Sequence, residues 1–406
     1  MTTQSSSLRR RALVGLGFFA VAVPGLWVAI HQVPGFGPAV VDGVRAVVGP
    51  KPIAWAEDVA YGIEDQIDRW RYEDAAPKTF WEQPADTSAP LAAPERAFQP
   101  AALTATAPVA PEPHGGAFPP PAFAPPYADV AYEGDGRWLP MKDGSAPGEA
   151  PALWKSVVHP DPKRSFAAVA VVAIDLSRVD LRLVAGTSEP ASETVPPEHR
   201  PGIIPREAAP TLIAVFNGGF KAMHGHWGMM LNGETFVPPR DVACTVALYR
   251  DGAIKIRTWP ELSASEGQMV GYRQTPPCLV EEGKTNAALD VEYTKGWGAT
   301  VSGQTVIRRS AIGLDKAGRT LFFAIGESVT AQSLSRAMKA VGAENAAQLD
   351  VNYAYPRFLM YERASGSAPP RATSALIPGI KFMSHEYVGD ASPRDFFYLT
   401  RHRAAL

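Results

Sequence analysis

The stretch Thr211-Leu-Ile-Ala-Val-Phe216, followed by Asn217-Gly218-Gly219-Phe220, decides the fold expected for this chain. A short apolar run that ends in turn residues is typical of a buried strand. The Asn and the two glycines at its end bring backbone N–H groups to a sheet edge, where an anion or a sugar can approach closely. A tight turn explains the same residues when they are taken alone. A second strand end, Gln348-Leu349-Asp350, follows later in the chain, and the two ends together predict one cleft.

The runs around this centre predict further strands and one helix. Thr245–Tyr249 and Ile254–Thr258 flank an Asp-Gly pair, which is a hairpin signal. Ser310–Leu314 and Thr320–Ile325 form a second predicted hairpin. A helix is predicted around Leu334, with Thr330 or Ser328 as N-cap and Gly342 as its stop; other strand-like runs lie at Ala167–Asp175 and Val179–Ala185. Strands dominate, so we expect residues 132–406 to form one α+β domain with mixed, largely antiparallel sheets and few helices.

The N-terminal region carries an export signal. Arg9-Arg10-Arg11 precedes the uncharged apolar run Ala12–Ile30, which is just long enough to span a bilayer as a helix. The basic flank predicts a cytoplasmic segment 1–11, a transmembrane signal anchor 12–30 and translocation of everything that follows. A cleaved signal peptide is the competing interpretation, because Pro24 and Gly25 interrupt the run. We therefore expect a single-pass membrane protein whose globular domain lies on the exported side, in the periplasm or outside the cell.

Two further segments separate the anchor from the domain. The membrane-proximal segment 31–83 contains a helical period from Ala54 to Tyr72, with Val59, Ile63, Ile67 and Trp70 on one face. This helix is expected to pack on the membrane, on another chain or on the main domain. Its many acids argue against the membrane surface. Residues 84–131 are rich in Pro and Ala and predict a semi-rigid linker.

Bulk composition excludes one class of partner. A net charge of −2 gives no electrostatic basis for binding nucleic acid, while 46% hydrophobic residues support a real core. The two cysteines, Cys244 and Cys278, lie in the exported part, where they either form one disulfide, worth up to about 3.5 kcal/mol, or remain two buried thiols. Without a CxxC spacing they do not indicate zinc, and His224-Gly225-His226 has no third ligand nearby. We expect no cofactor and no metal held by these residues, and a divalent metal that assists phosphate binding is the open alternative.

Several of these segments, taken in order, match a known family. Ala170-Val-Val-Ala-Ile-Asp-Leu176, Phe216–Phe220, Gly228–Gly233, Arg309-Ser-Ala-Ile-Gly-Leu-Asp315 and Ala346–Asp350 resemble the phosphodiester glycosidase domain family, which includes bacterial proteins linked to exopolysaccharide. The resemblance implies an exported hydrolase that cleaves the sugar–phosphate bond of a sugar-1-phosphodiester, in exopolysaccharide or cell-envelope metabolism. The implied partners are a carbohydrate or sugar-phosphodiester ligand and, through the N-terminal helix, a membrane.

The resemblance also implies site residues. Asn217, Gly218 and Gly219 fall on the family's Asn-Gly-Gly strand end, Arg309 on the arginine before its Ile-Gly strand, and Asp350 on the aspartate of its glycine-rich turn. Asp350 is expected to activate water or to face the oxocarbenium-like centre, and Arg309 to hold the phosphate. Asn217 would orient a sugar hydroxyl or a phosphate oxygen. Gly218 and Gly219 would bind substrate through their backbone.

The turn after Asp350 departs from the family pattern. The family's glycines are replaced by Val351-Asn352-Tyr353-Ala354-Tyr355, so Asn352, Tyr353 and Tyr355 are expected to contact the ligand instead. The later segment Ser392-Pro393-Arg394-Asp395 also differs from the family's Arg-Pro-Ser-x-Asp-Gly type. A non-catalytic glycan-binding or scaffold domain is therefore the alternative function. If Asn217, Arg309 and Asp350 share one cleft, the enzyme is favoured, and if Tyr353 or Tyr355 fills that cleft, the binding domain is favoured.

Overall fold

The computed structural model describes residues 62–63, 65–72, 77, 79–82, 118–290, 297–298, 306–364 and 368–402. Tyr61–Leu406 forms one compact unit, and the other unit, Met1–Ala60, lies outside the described residues. The predicted anchor 12–30 and residues 84–117 of the predicted linker also lie outside them. Within the part that is described, no helix is both long enough and apolar enough to cross a bilayer.

The elements of this unit are mostly strands. In chain order they are β1 Leu139–Pro140, β2 Leu153–Val158, β3 Val169–Asp175, β4 Val179–Val184, β5 Leu212–Asn217, β6 Met229–Leu231, β7 Glu234–Val237, β8 Cys244–Tyr249, β9 Ile254–Thr258, β10 Met269–Thr275, β11 Val280–Glu281, β12 Lys284–Thr285, β13 Ile307–Leu314, β14 Thr320–Val329, β15 Asn345–Val351, β16 Phe358–Glu362, β17 Arg371–Ala375 and β18 Phe396–Arg401. Residues 65–71 are helical, and the α-helix Ala331–Ala340 lies between β14 and β15. Short 3-10 turns occupy Ala128–Val130, Pro197–His199, Ala209–Thr211, Trp259–Glu261, Ser263–Gln268 and Ala287–Leu289.

These strands form three sheets. An eight-stranded sheet has the order β1-β2-β3-β14-β13-β15-β11-β12, and two five-stranded sheets have the orders β7-β6-β10-β8-β9 and β17-β16-β5-β18-β4. Every pairing between these named strands is antiparallel. The expectation of largely antiparallel sheets with few helices is confirmed.

Both faces of the eight-stranded sheet are buried. One face meets the two smaller sheets in a shared core, where Phe323 packs on Phe216 and Phe358 with ring centroids 4.9 and 5.1 Å apart. The other face packs against the helix Ala331–Ala340 through Leu334 and Met338. This double burial explains why β3 and the Leu321–Ile325 part of β14 read as nearly continuous apolar runs rather than as alternating ones.

The two hairpins and the helix confirm the local sequence signals. β8 pairs with β9 across the Asp-Gly turn, and β13 pairs with β14. Thr330 caps the helix, because its hydroxyl accepts a hydrogen bond of 3.0 Å from the Ser333 N–H. Gly342, with φ of 88°, follows the helix end in the left-handed conformation that suits glycine.

Two structural features bear on expectations that the sequence left open. Cys244 and Cys278 form a disulfide with a sequence separation of 34, and both lie in the core. Residues 118–131, which the composition assigns to the linker, lie against the large sheet, where Phe118 and Phe123 pack on the helix-side core. Their aromatic rings give this end of the proline-rich stretch apolar surface to bury.

Candidate functional site

The candidate site lies where four strand ends meet. β5 ends at Asn217, and β18 begins at Phe396, directly opposite it. β15 reaches Asp350 near its end, where its pairing with β13 shifts register. A register shift of this kind re-aims side chains, and here it falls between the β13 residues Arg309 and Ala311.

Asn217 is fully buried and joins the two sheets. Its Nδ2 donates to the Ser310 Oγ at 2.9 Å, and its Oδ1 accepts from the Arg357 backbone N–H at 3.1 Å. The Ser310 hydroxyl then donates to the Asp350 carbonyl oxygen at 3.2 Å. Asn217 is therefore linked to Asp350 through one hydroxyl, and its side chain positions the backbone of both strand ends.

The N–H groups of Gly218 and Gly219 both donate to the chain's own Asp395, and only the Gly219 N–H meets its carboxylate. The Gly219 N–H donates to Asp395 Oδ2 at 2.9 Å, and the Gly218 N–H donates to the Asp395 carbonyl oxygen at 3.0 Å. A Cβ on Gly218 would overlap Asp395 Oδ2, and one on Gly219 would lie 2.7 Å from Arg273 Cζ. Both glycines are therefore required by packing within the protein, and their N–H groups are engaged.

Asp395 is held by Arg273 in a fully buried ion pair. Arg273 Nε donates to Asp395 Oδ2 at 2.8 Å, and its Nη1 donates to the Trp227 carbonyl oxygen at 3.0 Å. Neither side chain has any exposed surface. No sequence motif marks this pair. It packs directly against Gly218 and Gly219 and so supports this strand end.

Asp350 carries the carboxylate nearest to this strand end. Its backbone N–H donates to the Gly218 carbonyl oxygen at 3.3 Å. Its Oδ2 lies 2.8 Å from Arg394 Nη1 in an ion pair, and it accepts a hydrogen bond of 2.8 Å from Asn352 Nδ2. Across the described residues, no hydrogen bond reaches Asp350 Oδ1. The structure therefore brings Asn217, Gly218 and Asp350 together, and it adds Arg394.

Arg394 is the arginine that directly contacts the candidate carboxylate. Its Nη2 donates to the Gly219 carbonyl oxygen at 2.9 Å, and its guanidinium lies 4.1 Å from the ring centroid of Tyr355. Its Nε is buried, and no partner for it is present in the part of the chain that the structure describes. Burial alone would lower the pKa of Arg394, but the carboxylates of Asp350 and Asp395 raise it above its ordinary value. The guanidinium therefore stays charged.

Arg309 has a different environment from the one expected. Its Nε donates to the Val329 carbonyl oxygen at 3.1 Å, and its Nη1 donates to the Trp297 carbonyl oxygen at 2.7 Å and to Gln348 Oε1 at 3.1 Å. Burial lowers its pKa to about 10. The guanidinium is thus directed at carbonyl groups of the neighbouring backbone.

Arg308, which directly precedes Arg309, is also buried. It binds Glu327 Oε1 at 2.6 Å and the Tyr353 carbonyl oxygen. Glu327 thereby serves as the counter-ion of Arg308.

The non-glycine turn after Asp350 is built around Asn352. Its Oδ1 accepts from the Ala354 and Tyr355 N–H groups at 2.9 and 2.6 Å, while its Nδ2 holds Asp350. Tyr355 is buried, and its hydroxyl donates to the Asp395 carbonyl oxygen and accepts from the Gly218 N–H at 3.4 Å. Tyr353 is 38% exposed. Of the three predicted ligand contacts, Tyr353 presents a ring to solvent, whereas Asn352 and Tyr355 hold the site's own backbone.

Glu189 is a second group that the sequence did not reveal. Its Oε2 accepts from the Ala222 N–H at 2.8 Å, just beyond Phe220, and its charge raises the pKa of Arg394. No sequence motif marks it, since it reaches the site only through the fold. Arg394 and Asp395, by contrast, stood in the segment that the sequence comparison marked as a departure.

Metal ligation has no visible basis in this region. Among the residues whose placement is described, no group of three or more His, Cys, Asp or Glu side chains is arranged to hold an ion.

The two tryptophans near the site are buried. Arg240 covers the Trp227 ring at 4.7 Å, and Trp297 Nε1 donates to the Pro277 carbonyl oxygen at 2.7 Å. The exposed aromatic surface beside the site therefore comes from Tyr353.

Residues 210–350 match the family model for phosphodiester glycosidase, which confirms the recognition made from the sequence. The matched range begins just before β5 and ends at Asp350, so it contains both predicted strand ends. Arg394 and Asp395 follow it. Among curated proteins, none matches this chain.

Three solved structures show a distant likeness. The zebrafish N-acetylglucosamine-1-phosphodiester alpha-N-acetylglucosaminidase catalytic domain, auto-inhibited by its pro-peptide, is 14% identical, with a TM-score of 0.40 over 66% of this chain and 88% of that one. A hypothetical protein from Synechocystis is 12% identical, with a TM-score of 0.31 over 58% of this chain and 59% of its own. A putative exported protein from Burkholderia pseudomallei is 12% identical, with a TM-score of 0.27 over 58% and 74%.

Proposed function

We propose that this chain is an exported, membrane-anchored hydrolase that cleaves the sugar–phosphate bond of a sugar-1-phosphodiester, in exopolysaccharide or cell-envelope metabolism. The phosphodiester glycosidase match over residues 210–350 supports the hydrolase class. The observation that carries the proposal is the contact of 2.8 Å between Arg394 and Asp350 beside the Gly218-Gly219 strand end. A charged guanidinium, a group suited to binding phosphate, thus lies next to a carboxylate.

The proposed reaction needs few catalytic groups. The bond between the anomeric carbon and the phosphate oxygen breaks, and its electron pair leaves with the phosphate monoester, which is a stable anion without prior protonation. Water adds to the oxocarbenium-like carbon and loses one proton. A carboxylate that accepts this proton and faces the developing positive charge lowers the barrier, as does a cation on the phosphate.

Asp350 is the proposed carboxylate. Arg394 and Asn352 both bind its Oδ2, which leaves Oδ1 as the oxygen proposed to receive the water proton. The same contacts hold the carboxylate in one orientation, a requirement for efficient proton transfer.

Arg394 is the proposed phosphate-binding residue, in place of Arg309. Its Nε is a buried donor, and its planar guanidinium suits the paired oxygens of a phosphate. The donors of Arg309, by contrast, point to the carbonyl oxygens of Val329 and Trp297. Arg309 is proposed to position the end of β13, and Asn217 to position Asp350 through Ser310.

Export and anchoring remain part of the proposal. The basic flank and apolar run Ala12–Ile30 support insertion into a membrane. The Cys244–Cys278 disulfide supports an oxidising compartment, since such bonds persist mainly outside the cytosol.

A glycan-binding domain without catalysis is the second candidate, and a specific observation favours it. The Tyr355 hydroxyl occupies the space beside the Gly218 N–H, where a ligand was expected. The exposed Tyr353 ring nearby offers a flat apolar face of the kind that packs against a pyranose.

The test is sugar release by the full chain in detergent, from a panel of sugar-1-phosphodiesters, followed by mass spectrometry. We expect release by the wild type, with a loss of roughly 10²–10⁴-fold in Asp350→Asn, the range typical of a positioned acid–base group. Asp251→Asn, in the exposed β8–β9 turn, is the matched control and should retain full activity. No release from folded wild type that still binds sugar would establish the binding domain instead.

A further inference from the structure

The helical residues 62–63 and 65–71 expose their apolar side. Ile63, Ile67 and Trp70 are spaced like one helix stripe and are 54%, 47% and 78% exposed. They are three of the seven large hydrophobic residues exposed among those described, and they lie within eight positions of one another. A soluble domain rarely concentrates its exposed apolar surface in this way without a partner.

The opposite side of the segment fixes this orientation. The Asp65 carboxylate accepts from Arg164 Nε at 2.7 Å and from Arg164 Nη2 at 2.8 Å, while Arg164 Nη1 binds Asp161 at 3.0 Å. Tyr72 packs on Phe166 with ring centroids 5.5 Å apart. Turning the stripe toward the domain would break a paired, largely buried bidentate contact, so the apolar side stays outward.

The charges around the stripe differ from those that the sequence suggests. Asp65 is neutralised by Arg164 and by Arg69, which lies 2.9 Å away, and Asp68 lies 3.6 Å from Arg71. With Asp161, the described cluster thus holds three arginines against three aspartates. Arg69 and Arg71 flank Trp70, which is the combination of aromatic ring and cation found at membrane–water interfaces. Two of the acids that argued against a membrane surface, Asp65 and Asp68, are therefore paired with arginines within the protein.

We propose that the stripe Ile63, Ile67 and Trp70 lies on the surface of a lipid bilayer and orients the domain on it. The inference rests on the proposed anchor at Ala12–Ile30. The 33 residues from Ile30 to Ile63 hold the stripe within about 110 Å of the anchor even when fully extended. A tether converts weak surface binding into an intramolecular event with a high effective concentration, so a short stripe suffices.

The test is a spin label placed on the stripe of the full chain, reconstituted in liposomes. Cys244 and Cys278 are joined, so a cysteine introduced by Ile67→Cys is the thiol that takes the label. Val242→Cys, at an exposed site on the loop before β8, is the matched control. We expect the Ile67 label to gain accessibility to oxygen and lose accessibility to a water-soluble nickel chelate in liposomes, relative to detergent, while the Val242 label changes neither. Adding Trp70→Glu should reverse the gain.

The outcomes distinguish a failure of the proposal for the stripe from a failure of the proposal for the anchor. Flotation of the protein with liposomes reports insertion, and the label reports the stripe. If the protein floats with the liposomes but the Ile67 label stays accessible to water, the proposal for the stripe is wrong and the proposed anchor is retained. Spin–spin broadening between Ile67 labels overturns it in favour of a second copy of the chain. Loss of flotation overturns the anchor itself and, with it, this inference.

Discussion

Replacing Asp395 with alanine should be among the most destabilising single substitutions in the domain. The change removes the acceptor of Arg273 Nε at 2.8 Å and of the Gly219 N–H at 2.9 Å, and both partners remain buried. Leaving one member of a buried pair uncompensated costs about 3–5 kcal/mol. In a domain of this size each kcal/mol lowers the melting temperature by about 2–3 °C, so the expected decrease is roughly 6–15 °C.

The assay is thermal unfolding followed by circular dichroism, with urea unfolding as the second measurement. Glu362→Ala is the matched control. Its pair with Lys142 is nearly as short, at 2.9 Å, but the lysine side chain is 84% exposed. A surface pair of this kind contributes about 0–1 kcal/mol, so the control should barely move the transition. The comparison isolates burial, because distance is almost the same in both pairs.

A double-mutant cycle sharpens the prediction. Arg273→Met should destabilise on its own, because it leaves Asp395 as a buried carboxylate, whereas Arg273→Met with Asp395→Ala removes both charges. The double variant should therefore lose less stability than the sum of the single variants, by about 0.5–3 kcal/mol. Additive losses, or an Asp395→Ala decrease no larger than that of Glu362→Ala, would refute the assignment of this pair as the support of the Gly218-Gly219 strand end.

Three other predictions concern the turn, the disulfide and the tyrosines. Asn352→Ala removes the acceptor of two turn N–H groups and a donor to Asp350, so we expect a loss of about 1–3 kcal/mol and weaker sugar release; unchanged urea unfolding would contradict it. Replacing both Cys244 and Cys278 by alanine opens a loop of 34 residues and should cost roughly 3.5 kcal/mol, and a reductant should then have no further effect on the melting temperature. Burial raises the pKa of Tyr387 to about 12, so its contribution to stability is complete below pH 10 and is lost as the pH rises towards about 12. Its phenolate absorbance near 295 nm should therefore appear together with alkaline unfolding, and Tyr387→Phe should shift that unfolding to higher pH.

The sequence predicted the strands and hairpins well because their signals are local. The Asp-Gly pair between β8 and β9 and the Thr330 cap act through hydrogen bonds within a few residues, so their meaning does not depend on the rest of the fold. The arrangement of three sheets was not predictable in the same way. Strand order depends on contacts between segments far apart in the chain, as between β3 and β14.

The site shows the same limit at the level of single residues. Arg309 follows the family pattern, yet its donors meet carbonyl groups of the neighbouring backbone. Arg394 lies 44 positions beyond Asp350 in the chain and reaches it because β18 pairs with β5. Residue type and motif position identified the carboxylate, whereas its cationic partner depended on the strand order.

The two glycines at the end of β5 show why a correct signal can have an unexpected cause. Their conformational freedom and exposed N–H groups predicted an anion at this edge, and an anion is present. It is the carboxylate of Asp395, fixed by Arg273 from behind, and its backbone carbonyl also receives the Tyr355 hydroxyl. The phosphate of the proposed substrate is therefore assigned to Arg394 rather than to these two N–H groups. Arg394, whose carboxylate partner is Asp350 rather than Asp395, lies against the Gly219 carbonyl oxygen.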